Sequence, residues 1–286
     1  MTTPTFEGTL SPRDIARLEE GRQAVAIGEI AFETAPFVDG AMCYSAPGSW
    51  SNTAVGVGFE RSPSEDELAA FVNWYVSRGV EPRIELHPFV APEFLSLLAA
   101  RNFTLRNFEH TLAFPLRGLW PEATPAGASL PRSWAIVRLD PTDVTLVERL
   151  AQFQARGFLP AGTEPDEPLL ETIRRAFCHP RATTFLAIPK GGSAADFVAS
   201  ASMECTGAVA ALYGAVVGEH HRRQGLQQAL IRHRLEEGRQ RGCLVATIGS
   251  KPGIPTERNA LRLGFHVAYT KVALAMAGEG LVPTVS

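Results

Sequence analysis

In the second half of the chain, short apolar β-prone runs alternate with stretches whose apolar positions recur every three to four residues. Residues 209–217 (VAALYGAVV) predict a strand, and from Leu226 the pattern turns helical. A basic turn lies between them, Arg222-Arg223-Gln224-Gly225. A second apolar run at 243–248, a short helix through Asn259, Gly264-Phe265 and a final strand to Ala275 complete this order. Upstream, the pattern predicts a strand at 134–138, helical segments at 140–154 and 164–176, and a hairpin of 185–188 with 197–205. In the second hairpin strand, alternation puts Phe197, Ala199, Ala201, Met203 and Cys205 on one face. Val198, Ser200, Ser202 and Glu204 share the other. On the next strand the same rule groups Tyr213 with Ala215 and Val217.

The first half shows a similar pattern. Ser11-Pro12 opens a helix to about Gly21, and β-prone stretches follow at 24–32, 41–45 and 53–59. Ser64 with Glu65, Asp66 and Glu67 starts a helix that runs to Gly79. A strand at 83–89, a helix at 91–100 and a strand from Asn102 to about Leu116 close the half. Phe103 and Phe265 differ by 265 − 103 = 162 positions. The same shift carries Ser64 onto Leu226 and residues 83–89 onto 245–251, so the chain is expected to hold two tandem modules. The Pro-, Gly- and Ala-rich stretch before Trp134 reads as a linker. The expected division is 1–118, a linker at 119–133, and 134–286.

Composition narrows the function without naming it. A chain of 286 residues suits two α/β domains, and 45% hydrophobic with 20% charged residues is an ordinary globular balance. A net charge of -3 argues against nucleic acid as a partner. No apolar run reaches membrane-spanning length, and no leader pattern is expected at the N-terminus. Four cysteines, none in a C-x-x-C, fit a reduced cytoplasmic chain. His220-His221 has no third ligand nearby, so no metal is expected.

Candidate chemistry centres on the basic turn. The first N–H groups of a helix lack intrahelical partners, and the helix dipole places partial positive charge there. A strand, a basic turn with Gly225, and a helix without an acid from Leu226 to Leu235 therefore make an anion site suited to phosphate oxygens. At these residues, Arg222-x-x-Gly225-x-Gln227, the chain resembles the acyl-CoA pyrophosphate loop of the GNAT superfamily of N-acetyltransferases. Gln227 departs from the family's small residue. The resemblance covers about residues 134–275 and implies an α/β (α+β) fold of two GNAT-like modules. Each would be a mixed, mostly antiparallel twisted sheet flanked by helices. It also implies acetyl-CoA as cosubstrate and an amine acceptor, on a small molecule or peptide, with direct transfer in one ternary complex; a homodimer is left open.

The resemblance further implies site residues. Ala215, Val216 and Val217 on the strand, then Arg222, Arg223, Gln224, Gly225, Leu226 and Gln227, would hold the cosubstrate. Asn259 and Arg262, in Glu257-Arg258-Asn259-Ala260-x-Arg262, would flank it, with a helix-surface amide as the alternative for Asn259. Glu204 is the candidate general base, weighed against a solvent-facing glutamate. The family's acidic tyrosine is replaced by Ala260, so Tyr213 is the candidate proton donor, with Tyr269 as a further one; core packing is the alternative for both rings. The first module has Arg61-Ser62-Pro63-Ser64 and three acids at the matching turn, and is expected to bind no coenzyme A. A non-catalytic acyl-CoA-binding module is the competing function. A dinucleotide oxidoreductase is excluded because no G-x-G-x-x-G is present.

Overall fold

The computed structural model describes residues 10–117, 130–160 and 162–284. Most of the expected linker at 119–133 lies outside them. The chain divides into two compact units, Leu112–His266 and the described residues before Leu112 together with Val267 onward.

The N-terminal unit runs α1 (Pro12–Ile30), β1 (Glu33–Phe37), β2 (Gly40–Tyr44), β3 (Thr53–Val55), α2 (Glu65–Val76), β4 (Arg83–Leu86), α3 (Pro92–Ala100) and the first part of β5 (Thr104–Pro115). Strands β1–β2 and β2–β3 are antiparallel, and β3–β4 is parallel. The last strand of the chain, β11 (His266–Ala275), pairs antiparallel with β4 through Val272 to Ala275. Compactness thus assigns β11 from Val267 onward to this unit, whereas the sequence division keeps it with residues 134–286. The physical reason is that the β4 edge carries N–H and C=O groups that need a partner, and β11 supplies one.

Two expectations change here. Residues 24–32 form no strand, because α1 continues to Ile30. That stretch gains more from packing as a helix: Ala24 and Ile27 join the cluster of Ala31, Cys43 and Val55. The helix also lies directly on Gly56, where a Cβ would come within 2.7 Å of the Glu20 carbonyl oxygen and 2.8 Å of the Ala24 Cβ. Strand β1, by contrast, was not expected. It contains Pro36 and tolerates it by ending the strand order, where an N–H has no ladder partner to serve.

The second unit contains the end of β5 and then β6 (Trp134–Arg138), α4 (Val144–Phe158), α5 (Glu167–Cys178), β7 (Ala182–Pro189), β8 (Ala199–Thr206), β9 (Val209–Val217), α6 (Leu226–Gln240), β10 (Val245–Ser250) and α7 (Pro255–Arg262). Its strands lie in the order β5-β10-β9-β8-β7-β6. The three pairings from β6 to β9 are antiparallel and β9–β10 is parallel. Each unit is therefore a mixed, mostly antiparallel sheet flanked by helices. The repeat persists in the strands, since β4 and β10 begin 245 − 83 = 162 residues apart, as do β5 and β11, 266 − 104 = 162.

The two faces of the second sheet bury different partners. Phe185, Ala187, Ala199, Ala201 and Met203 pack against Leu226, Leu230, Ile231 and Leu235 of α6. Leu186 and Ile188 pack against Leu146, Val147, Leu150 and Ala151 of α4 and Leu170, Ile173 and Phe177 of α5. The alternation expected along β8 is thus the one observed.

Candidate functional site

Strands β9 and β10 pair only over Val209–Ala211 and Val245–Thr247, and both run on beyond that, to Val217 and Ser250. The parallel pair parts at this place. Just there β9 also carries a bulge: Ser202 lies opposite Tyr213 but Ser200 opposite Val216, one residue too many on β9. Gly214 absorbs the extra residue at φ +61°. The bulge resets the alternation. Tyr213 shares the α4 side with Ser202, whereas Ala215 and Val217 pack with the core on the α6 side. The expected grouping of Tyr213 with Ala215 and Val217 fails for this reason.

Arg234 of α6 holds the bulge from below. It is 2% exposed, and its Nη1 donates to the carbonyls of Ser202 (2.7 Å) and Tyr213 (3.2 Å), while Nε donates to Leu230 (3.1 Å). Burial pulls the guanidinium down to about 9, which still leaves it cationic at neutral pH. Sequence inspection missed this residue. The signal was its place four residues after Leu230 and eight after Leu226, on the buried stripe of the helix.

Beyond β9 a short 3-10 turn, Glu219–His221, leads into the basic turn. Arg223 adopts φ +61° and Gly225 φ +79°, so the chain folds back sharply and presents the start of α6. Gly225 is the N-cap, no side chain accepts from the first helical N–H groups, and the first turn holds no acid. Those N–H groups are free for an external anion. Arg222, Arg223 and Gln224 are exposed beside them, and Arg222 Nε reaches the Val217 carbonyl at 3.4 Å. Gln227 is turned sideways to α7, donating to Thr256 (3.2 Å) and accepting from Asn259 Nδ2 (2.6 Å). Asn259 in turn accepts from Gln228 at 3.3 Å, so it clamps α7 to the first turn of α6. Arg262 is exposed one turn further along α7.

The matching helix start in the N-terminal unit is closed by a capping box. Ser64 Oγ accepts from the Glu67 N–H (3.2 Å), and Glu67 accepts from the Ser64 N–H (2.7 Å). Arg61 grips the same carboxylate at 2.7 and 2.6 Å and, together with that N–H, holds it down to about 2. In the preceding loop the Asp39 carboxylate accepts from the N–H groups of Gly58 (2.6 Å), Phe59 (2.7 Å) and Glu60 (2.9 Å). Phe59 stacks on His87 with centroids 3.6 Å apart. An anion would find these donors taken.

Other candidates fall elsewhere. Glu204 is 4% exposed and accepts from Arg181 Nε (3.1 Å) and Thr206 Oγ1 (2.6 Å). It lies opposite Ala211, at the paired end of β9 and before the strands part. Tyr269 belongs to the N-terminal unit, where its hydroxyl donates to Glu20 Oε1 at 2.6 Å. Ala260 is fully buried in the core. Among the described residues no group of three or more His, Cys, Asp or Glu is placed to hold a metal ion. No helix among them is long and apolar enough to cross a membrane.

Comparison with known proteins bears on the fold that carries these residues. The acetyltransferase (GNAT) family matches residues 147–265. A GCN5-related N-acetyltransferase from Kribbella flavida is similar at 18% identity, over 92% of this chain and 97% of its own, with a TM-score of 0.58. A tandem GNAT protein from the clavulanic acid biosynthesis pathway is similar at 16% identity, over 82% of this chain and 77% of its own, also with a TM-score of 0.58. An acetyltransferase of the GNAT family from Novosphingobium aromaticivorans is similar at 18% identity, over 92% and 99%, with a TM-score of 0.51. At these identities the similarity speaks for the fold. No curated protein matches the chain.

Proposed function

We propose, from the match of residues 147–265 to the GNAT acetyltransferase family, that the chain is an acetyl-CoA-dependent N-acetyltransferase. Its acceptor is the amine of a small molecule or peptide. One observation carries the reading: α6 begins with N–H groups that no side chain caps, behind a basic turn and beside the parted strands β9 and β10. A diphosphate fits that start, held by the backbone of residues 222–227 with Arg222 and Arg223 adding charge. The backbone of Ala215, Val216 and Val217 then lines the opening where a thioester would lie, and Asn259 and Arg262 flank it from α7.

The chemistry is direct transfer. The amine loses its proton to solvent, and its nitrogen forms a C–N bond to the thioester carbonyl carbon. The C–S bond breaks, the electron pair leaves with the coenzyme A thiolate, and the nitrogen sheds its second proton as the thiolate takes one up. Positioning and backbone N–H donors near Val217 supply most of the acceleration. Tyr213 is the one tyrosine between Leu112 and His266, and it remains the candidate proton donor to sulfur. Glu204 is given a structural part, because its Oε1 already accepts from Arg181 and Thr206. Four free cysteines fit a reducing compartment.

Calorimetry and turnover test the proposal. Acetyl-CoA should bind the wild type, Gly225→Asp should abolish binding, and Arg222→Glu should weaken it by at least about 1–2 kcal/mol. Unchanged affinity in both variants overturns the site. Thiol release against a set of amines separates transfer from binding alone. The second reading, an acyl-CoA-binding module without catalysis, is favoured by the core alanine at position 260 and predicts binding with no amine-dependent thiol release.

A further inference from the structure

Where β9 leaves β10, the side of the sheet facing α4 holds two buried polar atoms with no hydrogen-bond partner among the described residues. Gly157 lets α4 settle onto Val216: a Cβ there would lie 2.5 Å from Val216 Cγ1. One turn earlier, the Gln154 amide lies over the bulge, with Nε2 and Oε1 both 3.1 Å from where a Gly214 Cβ would be. Ser200 pairs opposite Val216 and so faces the same helix. Gln154 is 6% exposed and Ser200 0%. Neither Gln154 Oε1 nor Ser200 Oγ has a hydrogen-bond partner among the described residues. Their neighbours along β8 do: Ser202 shares a hydrogen bond with Thr184 (2.8 Å), and Glu204 is paired with Arg181. Buried polar atoms are normally satisfied, so two orphans at the site of reaction call for a ligand.

The surroundings restrict its chemistry. An amide oxygen accepts, and a hydroxyl accepts or donates, so together they suit a group rich in N–H. The carboxylates of α4, α5 and β8 are engaged by arginines: Glu148, Glu167 and Glu171 with Arg174, and Glu204 with Arg181. Apolar surface is at hand in Phe153, edge-on to Phe197 at 5.2 Å and 3.8 Å from a Cβ on Gly218 just past β9. We propose that Gln154 and Ser200 receive the acceptor nitrogen, and that the acceptor is a monoamine on an apolar or aromatic body, not a polycation. This rests on the N-acetyltransferase reading and names the substrate class for it.

Two measurements test it, with 2-phenylethylamine and spermidine as probes. The first is amine binding by ligand-observed NMR, without coenzyme A. The wild type should bind 2-phenylethylamine in preference to spermidine, and Gln154→Leu and Ser200→Ala should each weaken that binding at least tenfold. Where turnover is seen, KM for the amine should rise likewise while KM for acetyl-CoA stays put. The second is thermal unfolding with no ligand present. Removing an orphaned polar atom should leave Tm unchanged or higher, whereas a structural amide would show a lower Tm in Gln154→Leu. A lowered Tm, preference for spermidine, no amine binding, or amine binding indifferent to both substitutions overturns the proposal. Failure of acetyl-CoA to bind would tell against the acetyltransferase reading alone, because the amine arm does not depend on it.

Discussion

Single residues here owe their roles to what surrounds them. Glu204 on an alternating strand reads as a base, and in the structure its Oε1 accepts from both Arg181 and Thr206, which favours a structural part. Glu204→Gln should therefore lower stability, by about 1–3 kcal/mol for a broken buried pair, and any loss of kcat/KM should be uniform across pH. A loss confined to neutral pH and vanishing at high pH would restore it as the base. His87 offers a second case. It is buried under Phe59 with Nδ1 accepting from the Phe89 N–H (3.2 Å), and burial depresses its pKa from 6.5 to about 4, despite Asp39 nearby. The fold thus holds the neutral ring. The stability this gives is complete above pH 6.5 and is lost as the pH falls toward 4, amounting to about 3 kcal/mol. Urea titrations of the wild type and His87→Gln should show that acid-dependent loss in the former and a flatter profile in the latter.

Two helices that follow parallel strand pairs in matching places begin in opposite ways. Helix α2 is closed by a capping box and an arginine, and α6 is left open behind glycine. The capped start contributes stability; the open one leaves its donors for a ligand. Ser64→Ala should cost about 1 kcal/mol in unfolding free energy and leave acetyl-CoA affinity untouched, as read by denaturation and calorimetry on the same preparation. Lowered affinity in that variant would mean that α2 takes part in binding. The clamp of Gln227 and Asn259 belongs to this scale too, because it fixes where α7 meets the first turn of α6.

For the molecule as a whole, the asymmetry between units sets the stoichiometry. Asp39 already satisfies three N–H groups in the N-terminal unit, and Phe59 stacks on His87. One coenzyme A should bind per chain. Glu65→Lys with Asp66→Lys should leave its affinity nearly unchanged, since the capping box of Ser64 and Glu67 still closes that helix start. A calorimetric stoichiometry of two equivalent sites, or nucleotide bound at Ser64, would sink this expectation.

Periodicity along the chain determined the order of most elements, the 162-residue repeat and the open, basic start of α6. Those follow from local rules: a strand alternates, a helix buries a stripe, and a helix end without a cap needs an acceptor. Residues 24–32 escaped because an apolar run of that length suits either state, and packing on Gly56 decided it. The bulge at Gly214 escaped because a one-residue insertion leaves no mark in composition, yet it moved Tyr213 to the other face. Which carboxylates are free, which polar groups are orphaned, and which edge takes the last strand depend on partners distant in the chain. Glu204 finds Arg181 and β11 finds β4 only in three dimensions, so these were decided by the tertiary structure alone.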